Sequence, residues 1–278
     1  MTDLSHHDIT LNGNELNITE NTLRGLAGYL KNEGDDMSGF AEPHELTDIA
    51  DKIHRQRIKS YPVIAFCGLP GSGKTTIGEF AAELGHAEFI SMGDAIRHEA
   101  PENIAEDSEE LGEFAARTRE DDPRAIPNWT IDRAVARAEE DALIIDGVRS
   151  VDDYMVLNNF FESFVLINVR SDFYNRLERL QEGEFEAGDL LARDERENQE
   201  LGLAELLTYE DAEFLPDDID YPEGLHDGVM VNDGEDLSLL YEKTSGLLNR
   251  LGDWAPRLDE NDEEDIEDEE IEMGEIEP

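Results

Sequence analysis

The stretch "PVIAFCGLPGSGKTTIGEFAAELG", Pro62 to Gly85, constrains the fold more than any other part of the chain. A short apolar run leads into a glycine-rich turn, and a helical pattern starts immediately beyond it. Gly68, Gly73, Lys74 and Thr75 fit the spacing G-x-x-x-x-G-K-[ST]. Between a strand and a helix, glycines let such a loop curl with its N–H groups inward toward phosphate oxygens, while the helix adds its positive N-terminal end. The expected cradle is Gly68, Pro70, Gly71, Ser72, Gly73, Lys74, Thr75 and Thr76. Lys74 is expected to reach the β and γ phosphates of ATP, and the Thr75 hydroxyl to take a place on Mg²⁺.

A companion lies in "ALIIDG", an apolar strand ending in Asp146, whose carboxylate would hold Mg²⁺ directly or through water. "AEFISMG", "FVLINV" and "DGVMVND" read as further buried strands, each short, apolar on both parities and closed by turn residues. Helical patterns such as "SDFYNRLERLQ" and "DLSLLYEKTSGLLNRL" follow nearly all of them. This alternation predicts an α/β fold with a parallel sheet covered by helices on both faces. Ligands then bind beyond the carboxyl ends of the strands, where every motif named here falls.

Composition restricts the partners. Seventy Asp plus Glu against 22 Lys plus Arg give a formal net charge of −48. Such a chain repels nucleic-acid phosphates and anionic lipid, so no nucleic acid and no membrane is expected as a partner, and any phosphate site must be local and preorganised. The lone cysteine, Cys67, removes a disulfide framework and reads as a small core residue. No apolar run approaches a membrane span, and the start of the chain lacks a signal-peptide pattern, so a cytoplasmic setting is expected. Acid spread along the whole chain, with scarce lysine, resembles proteins of salt-loving archaea or their viruses, in which concentrated salt screens the self-repulsion.

Three segments are expected. Residues 1–60 are a polar extension with weak helical patterns near Asn21–Lys31 and Glu45–Lys59, residues 61–252 the nucleotide domain, and residues 253–278 an acidic disordered tail. A protein partner would engage one of the two ends.

The acceptor side is read from strand ends. Asp94, after "FISM", is placed to orient or deprotonate an acceptor hydroxyl, or to cap the helix "AIRHEA". Arg97, one turn on, is placed for an acceptor phosphate, or for a surface ion pair. Arg149 in "DGVRS" is expected to face the transferring phosphoryl group. Arg176 and Arg179 share a helical face, and Arg193 and Arg196 share another within a polar, Gly-containing segment. A mobile segment with arginines suits a closing lid, the alternative being an exposed helix laced with Glu and Arg pairs. Asn232, ending the last strand, is expected beside the adenine, although turn chemistry alone explains Asn-Asp-Gly.

With "GLPGSGKTTIGEFAAELG", "FISMGDAIRHEA", "LIIDGVRSVDDY", "RDERENQELG" and "VNDG" assembled, the stretch from Pro62 to Arg250 resembles archaeal P-loop proteins related to dephospho-coenzyme A kinase and the adenylate kinases. The resemblance implies a five-stranded parallel sheet, a helical acceptor-side insertion, a small lid and ATP binding. It further implies transfer of the γ-phosphoryl group to a small acceptor such as a nucleoside monophosphate, with Lys74, Arg149, Arg193 and Arg196 stabilising charge and Asp94 with Arg97 placing the acceptor. Two departures from adenylate kinase stand out. Arg149 comes one position early, with no proline before it, and the lid segment has no cysteine for a zinc. The second reading is an ATP-binding regulatory or assembly ATPase acting through a protein partner, against which stands Gly147, where such enzymes carry a glutamate after the strand-end aspartate.

Overall fold

The apolar runs form five strands: β1 Pro62–Cys67, β2 Glu88–Ser91, β3 Leu143–Val148, β4 Ser163–Arg170 and β5 Val229–Val231. The computed structural model describes residues 13–33, 43–105, 108–181, 186–199, 202–208, 228–234 and 237–251, and the acidic segment 253–278 lies outside them. The strands make one sheet in the order β2-β3-β1-β4-β5, and every neighbouring pair is parallel. Pro62, which donates no hydrogen bond, is tolerated because it opens β1.

Helices α1 Gly13–Glu33 and α2 Pro43–Lys59 precede the sheet. α3 Lys74–Leu84 follows β1, and α4 Met92–Glu99, α5 Ser108–Asp121 and α6 Ala125–Arg137 lie between β2 and β3. α7 Val151–Phe160 joins β3 to β4. α8 Phe173–Gln181, α9 Ala187–Gln199 and α10 Leu203–Thr208 lead toward β5, and α11 Leu237–Leu251 follows it. Local chemistry sets several boundaries. Ser91 and Ser150 cap α4 and α7 by accepting the N–H groups of Asp94 and Asp153. Pro123 follows the end of α5, where a helix cannot easily continue.

Alternate residues of each strand feed two cores. Ile64, Phe66, Ile144, Val165 and Ile167 meet α3 and α11 through Ile77, Ala81, Leu240 and Leu247. Val63, Ala65, Cys67, Leu143 and Ile145 meet the other layer through Ile58, Met92, Ile126, Leu157 and Leu203. The fold is therefore a three-layer α/β structure, and each strand's carboxyl end opens on the same edge. Cys67 is buried in the second core, as its neighbours in sequence suggest.

The N-terminal patterns form an antiparallel pair that docks on α6. His54 on α2 bonds Val135 O with Nε2 at 2.7 Å and Glu20 on α1 with Nδ1 at 3.0 Å. Arg55 reaches Asp132, and Ile58 enters the core. Glu20 is the hub. Burial pushes its carboxyl up, but hydrogen bonds from Arg24 and His54, with Arg57 beside it, outweigh that and hold it below its ordinary 4.5. A carboxylate held low in the fold contributes stability above its unfolded value and loses it as pH falls through the folded one. Glu20→Gln should thus lower the melting temperature near neutral pH, with the gap from the parent closing as the pH drops below 4.5. A gap independent of pH would refute this account of the docking.

Candidate nucleotide-phosphate site

The loop from Gly68 to Thr75 leaves β1 and enters α3 at the open edge of the sheet. Gly68 has φ +141°, and a Cβ there would run into Val169 O of β4. Gly73 caps α3 in the left-handed region, at φ +90°, and a Cβ there would strike the Asn232 amide nitrogen. Both positions require glycine. The carbonyls on the outer side of the curl are matched in turn. Leu69 O takes Ser72 N at 3.2 Å and Lys74 Nζ at 3.5 Å. Pro70 O takes Arg176 Nη1 at 3.0 Å, Gly71 O takes Arg179 Nη1 at 3.1 Å, and Ser72 O takes Asn232 Nδ2 at 2.8 Å.

Inside the curl, Thr75 Oγ1 donates to Asp146 Oδ2 at 2.6 Å. Asp146 follows Ile144 by strand alternation onto the α3 side of the sheet, and Gly147 is skipped where β3 pairs with Cys67, a bulge that brings Val148 into the other core. Asp146 is buried, and its Oδ1 has no partner among the described residues. A hydroxyl and a carboxylate so placed, one oxygen still unused, suit a hard cation that fills its other positions with phosphate and water. Among the described residues, no group of three or more His, Cys, Asp or Glu could hold a metal by itself.

The cations gather around this point. Desolvation pushes the Lys74 ammonium below its ordinary value, with Asp146 and Glu197 pulling it back up and Arg149 and Arg193 adding to the fall. Burial likewise lowers Arg193, which Arg149 and Arg196 reinforce. Arg149 donates from Nη1 to the buried Glu197 Oε1 at 2.8 Å. Arg196 sits with its guanidinium against Gly112 of α5. Desolvated cations converging on one point are a setting that favours an anion.

Other expected residues lie differently. Asp94 and Arg97 form a half-exposed ion pair at 2.6 Å on α4, and the helix is capped by Ser91 and not by Asp94. Asn232 spends its amide on the cradle backbone. Arg176 is 4% exposed, with a bidentate link to Asp194 at 2.8 and 2.6 Å besides its bond to the loop.

A family profile described as "AAA domain" matches residues 67–184. A UPF0200 protein of Thermoplasma volcanium is 30% identical over 193 residues, a match covering 67% of this chain and 96% of the relative. The chain belongs to the UPF0200 family. A second UPF0200 protein, from Methanoregula boonei, is 35% identical over 142 residues, 49% of this chain and 77% of its own. Among solved structures, a gluconokinase from Sinorhizobium meliloti aligns with a TM-score of 0.42 at 20% identity, covering 70% of this chain and 95% of its own. A shikimate kinase from Acinetobacter baumannii aligns at 0.38 and 16%, covering 71% and 96%.

In this UPF0200 chain several site residues escape a reading by motif. Asp194 and Glu197 on α9 engage Arg176 and Arg149, and Arg179 gathers five oxygen partners: Gly71 O, Ser171 Oγ, Asn232 O, Asn232 Oδ1 and Gly234 O. Only the spacing of Arg179 from Arg176 hinted at a shared task. Since Arg179 ties the cradle to the β5 end, Arg179→Met should weaken nucleotide binding by about tenfold or more while leaving a cooperative melt, because buried carbonyls lose a charged donor. Calorimetric titration with a non-hydrolysable ATP analogue checks this, and an unchanged affinity would remove Arg179 from the site.

Proposed function

We propose that this protein is an ATP-dependent phosphotransferase that moves the γ-phosphoryl group to a small acceptor, a nucleoside monophosphate or a related nucleotide such as dephospho-coenzyme A. The observation carrying the reading is the 2.6 Å bond between Thr75 and the strand-end carboxylate of Asp146, at the mouth of a glycine cradle ringed by Lys74, Arg149 and Arg193. In this reading the loop N–H groups and Lys74 bind the β and γ phosphates, and Thr75 with Asp146 hold Mg²⁺. Thr75 and Asp146 would place a bound Mg²⁺ where it would neutralise charge on the phosphates. Arg149, Arg193 and Arg196 stabilise charge that develops during transfer, and Asp94 with Arg97 orient the acceptor.

Preorganisation supports transfer over a loosely defined anion site. Arg176, Arg179 and Asn232 fix the cradle from outside, so the donors toward ATP need little rearrangement. None of the helices in the described residues is long and apolar enough to cross a membrane. The high acid content favours assays in concentrated salt, where self-repulsion is screened. Contact with a protein partner through the termini belongs to the competing reading of a regulatory ATPase.

The test is ATP turnover in molar KCl with Mg²⁺, alone and with a panel of nucleoside monophosphates, deoxy forms and dephospho-coenzyme A, following phosphorylated product. One acceptor should accelerate ATP loss and appear phosphorylated. Lys74→Ala should keep the fold and reduce transfer by about 10³ or more. Normal turnover in that variant would sink the mechanism, and ATP binding without any phosphorylated acceptor would replace it by the regulatory ATPase.

A further inference from the structure

A buried ion pair lies behind the site and no motif accounts for it. Arg119, on α5, is 8% exposed, and its Nη2 donates to Asp153 Oδ2 at 3.0 Å. Asp153, in the first turn of α7, is wholly buried. The same Oδ2 accepts the main-chain N–H of Arg149 at 3.1 Å. Asp153 in turn gives its own N–H to Ser150 Oγ at 3.0 Å. One carboxylate oxygen therefore connects the acceptor-side helix α5 to the backbone that projects Arg149.

As a stabilising device the pair is poor. Arg119 Nε, Arg119 Nη1 and Asp153 Oδ1 are buried without partners among the described residues. A buried pair left short of hydrogen bonds returns less than its desolvation costs, and an apolar replacement of similar volume would pack at least as well. The neighbourhood is apolar enough for that, with Ala115, Ile131, Tyr154 and Leu157 in the core around these helices. What the ion pair adds is direction.

The contacts close a ring. α5 holds Asp153, Asp153 holds the Arg149 backbone, the Arg149 guanidinium holds Glu197 on α9, and Arg196 of α9 rests against Gly112 of α5. α5 thus touches both ends of the Arg149–Glu197 link. We propose that Arg119 is a positioning residue, fixing through Asp153 the backbone from which Arg149 reaches the phosphoryl group, so that the placement of α5 is transmitted to that arginine. The proposal rests on the phosphotransferase reading for its catalytic consequence, but its geometric core does not.

The experiment has two arms. In the first, amide hydrogen exchange is compared in wild type, Arg119→Lys and Arg119→Met, following a peptide over residues 147–151 against a reference peptide in β1. Arg119→Met is expected to speed exchange over 147–151 by about fivefold or more with β1 unchanged, and Arg119→Lys, which keeps one charged donor, by less. If Arg119→Met fails to fold because Asp153 is left unpaired, the double variant Arg119→Met with Asp153→Asn removes both charges and should show the same selective loss. Unchanged exchange over 147–151, or an equal rise in both peptides, overturns the proposal, since a merely structural role moves everything together. In the second arm, Arg119→Met should lower kcat/KM for the acceptor by about tenfold or more, with ATP affinity unchanged. Wild type that phosphorylates no acceptor would end the phosphotransferase reading, while the exchange arm would still decide whether Arg119 positions Arg149.

Discussion

A loop that turns its N–H groups inward must turn its carbonyls outward, and those carbonyls need donors once protein closes over them. The whole site is arranged around that need. Pro70 O, Gly71 O and Ser72 O are met in succession by Arg176, Arg179 and Asn232, from α8 and from the end of β5. The strands that deliver these donors could not sit elsewhere, because β4 lies so close to the loop that only a glycine at 68 clears Val169 O. Position of the sheet, conformation of the loop and identity of the donors are thus one constraint seen three ways.

Charge explains how such a cradle exists in a chain with 70 acidic and 22 basic residues. Long-range attraction for phosphate is absent, so the attraction is assembled at short range from a few desolvated cations. Acid nevertheless enters the site. Asp194 and Glu197 neutralise Arg176 and Arg149, which offsets the repulsion that would otherwise force these cations apart. Arg176 is committed, since it also holds the loop backbone. Arg149 reaches Glu197 through a single bond, so in the proposed reading it is the cation with most freedom to turn to a phosphate oxygen.

Legibility in the sequence followed the range of the interactions. The five strands and the loop were readable because a β-branched run, a glycine spacing and a helical period are written in consecutive residues. The position of Asp146 beside the loop was readable because it lies near the end of a strand next to β1. The partner of the Asn232 amide was not readable: it is set by the pairing of β5 with β4, which brings Asn232 to Ser72 across 160 positions of sequence. Arg119 and Asp153 left no local signal, since an arginine in a helix and an aspartate in a first turn have ordinary surface roles. Only packing reveals that both are buried.

Helix α9 shows most sharply what pattern conceals. "RDERE" has the alternation of a solvated helix whose charges pair along its own surface. Instead Leu190, Asp194 and Glu197, spaced four and three apart, form one inward face, with Leu190 fully buried and both carboxylates turned to arginines of other elements. The two anchors lie on opposite sides of the cradle, one through α8 and the other through the end of β3. A helix held this way cannot move against one side without loading the other. In the proposed reading, phosphate that drew Arg149 away from Glu197 would remove one of the two ion pairs of α9 while leaving Asp194 on Arg176, with Arg193 near Lys74 and Arg196 against α5.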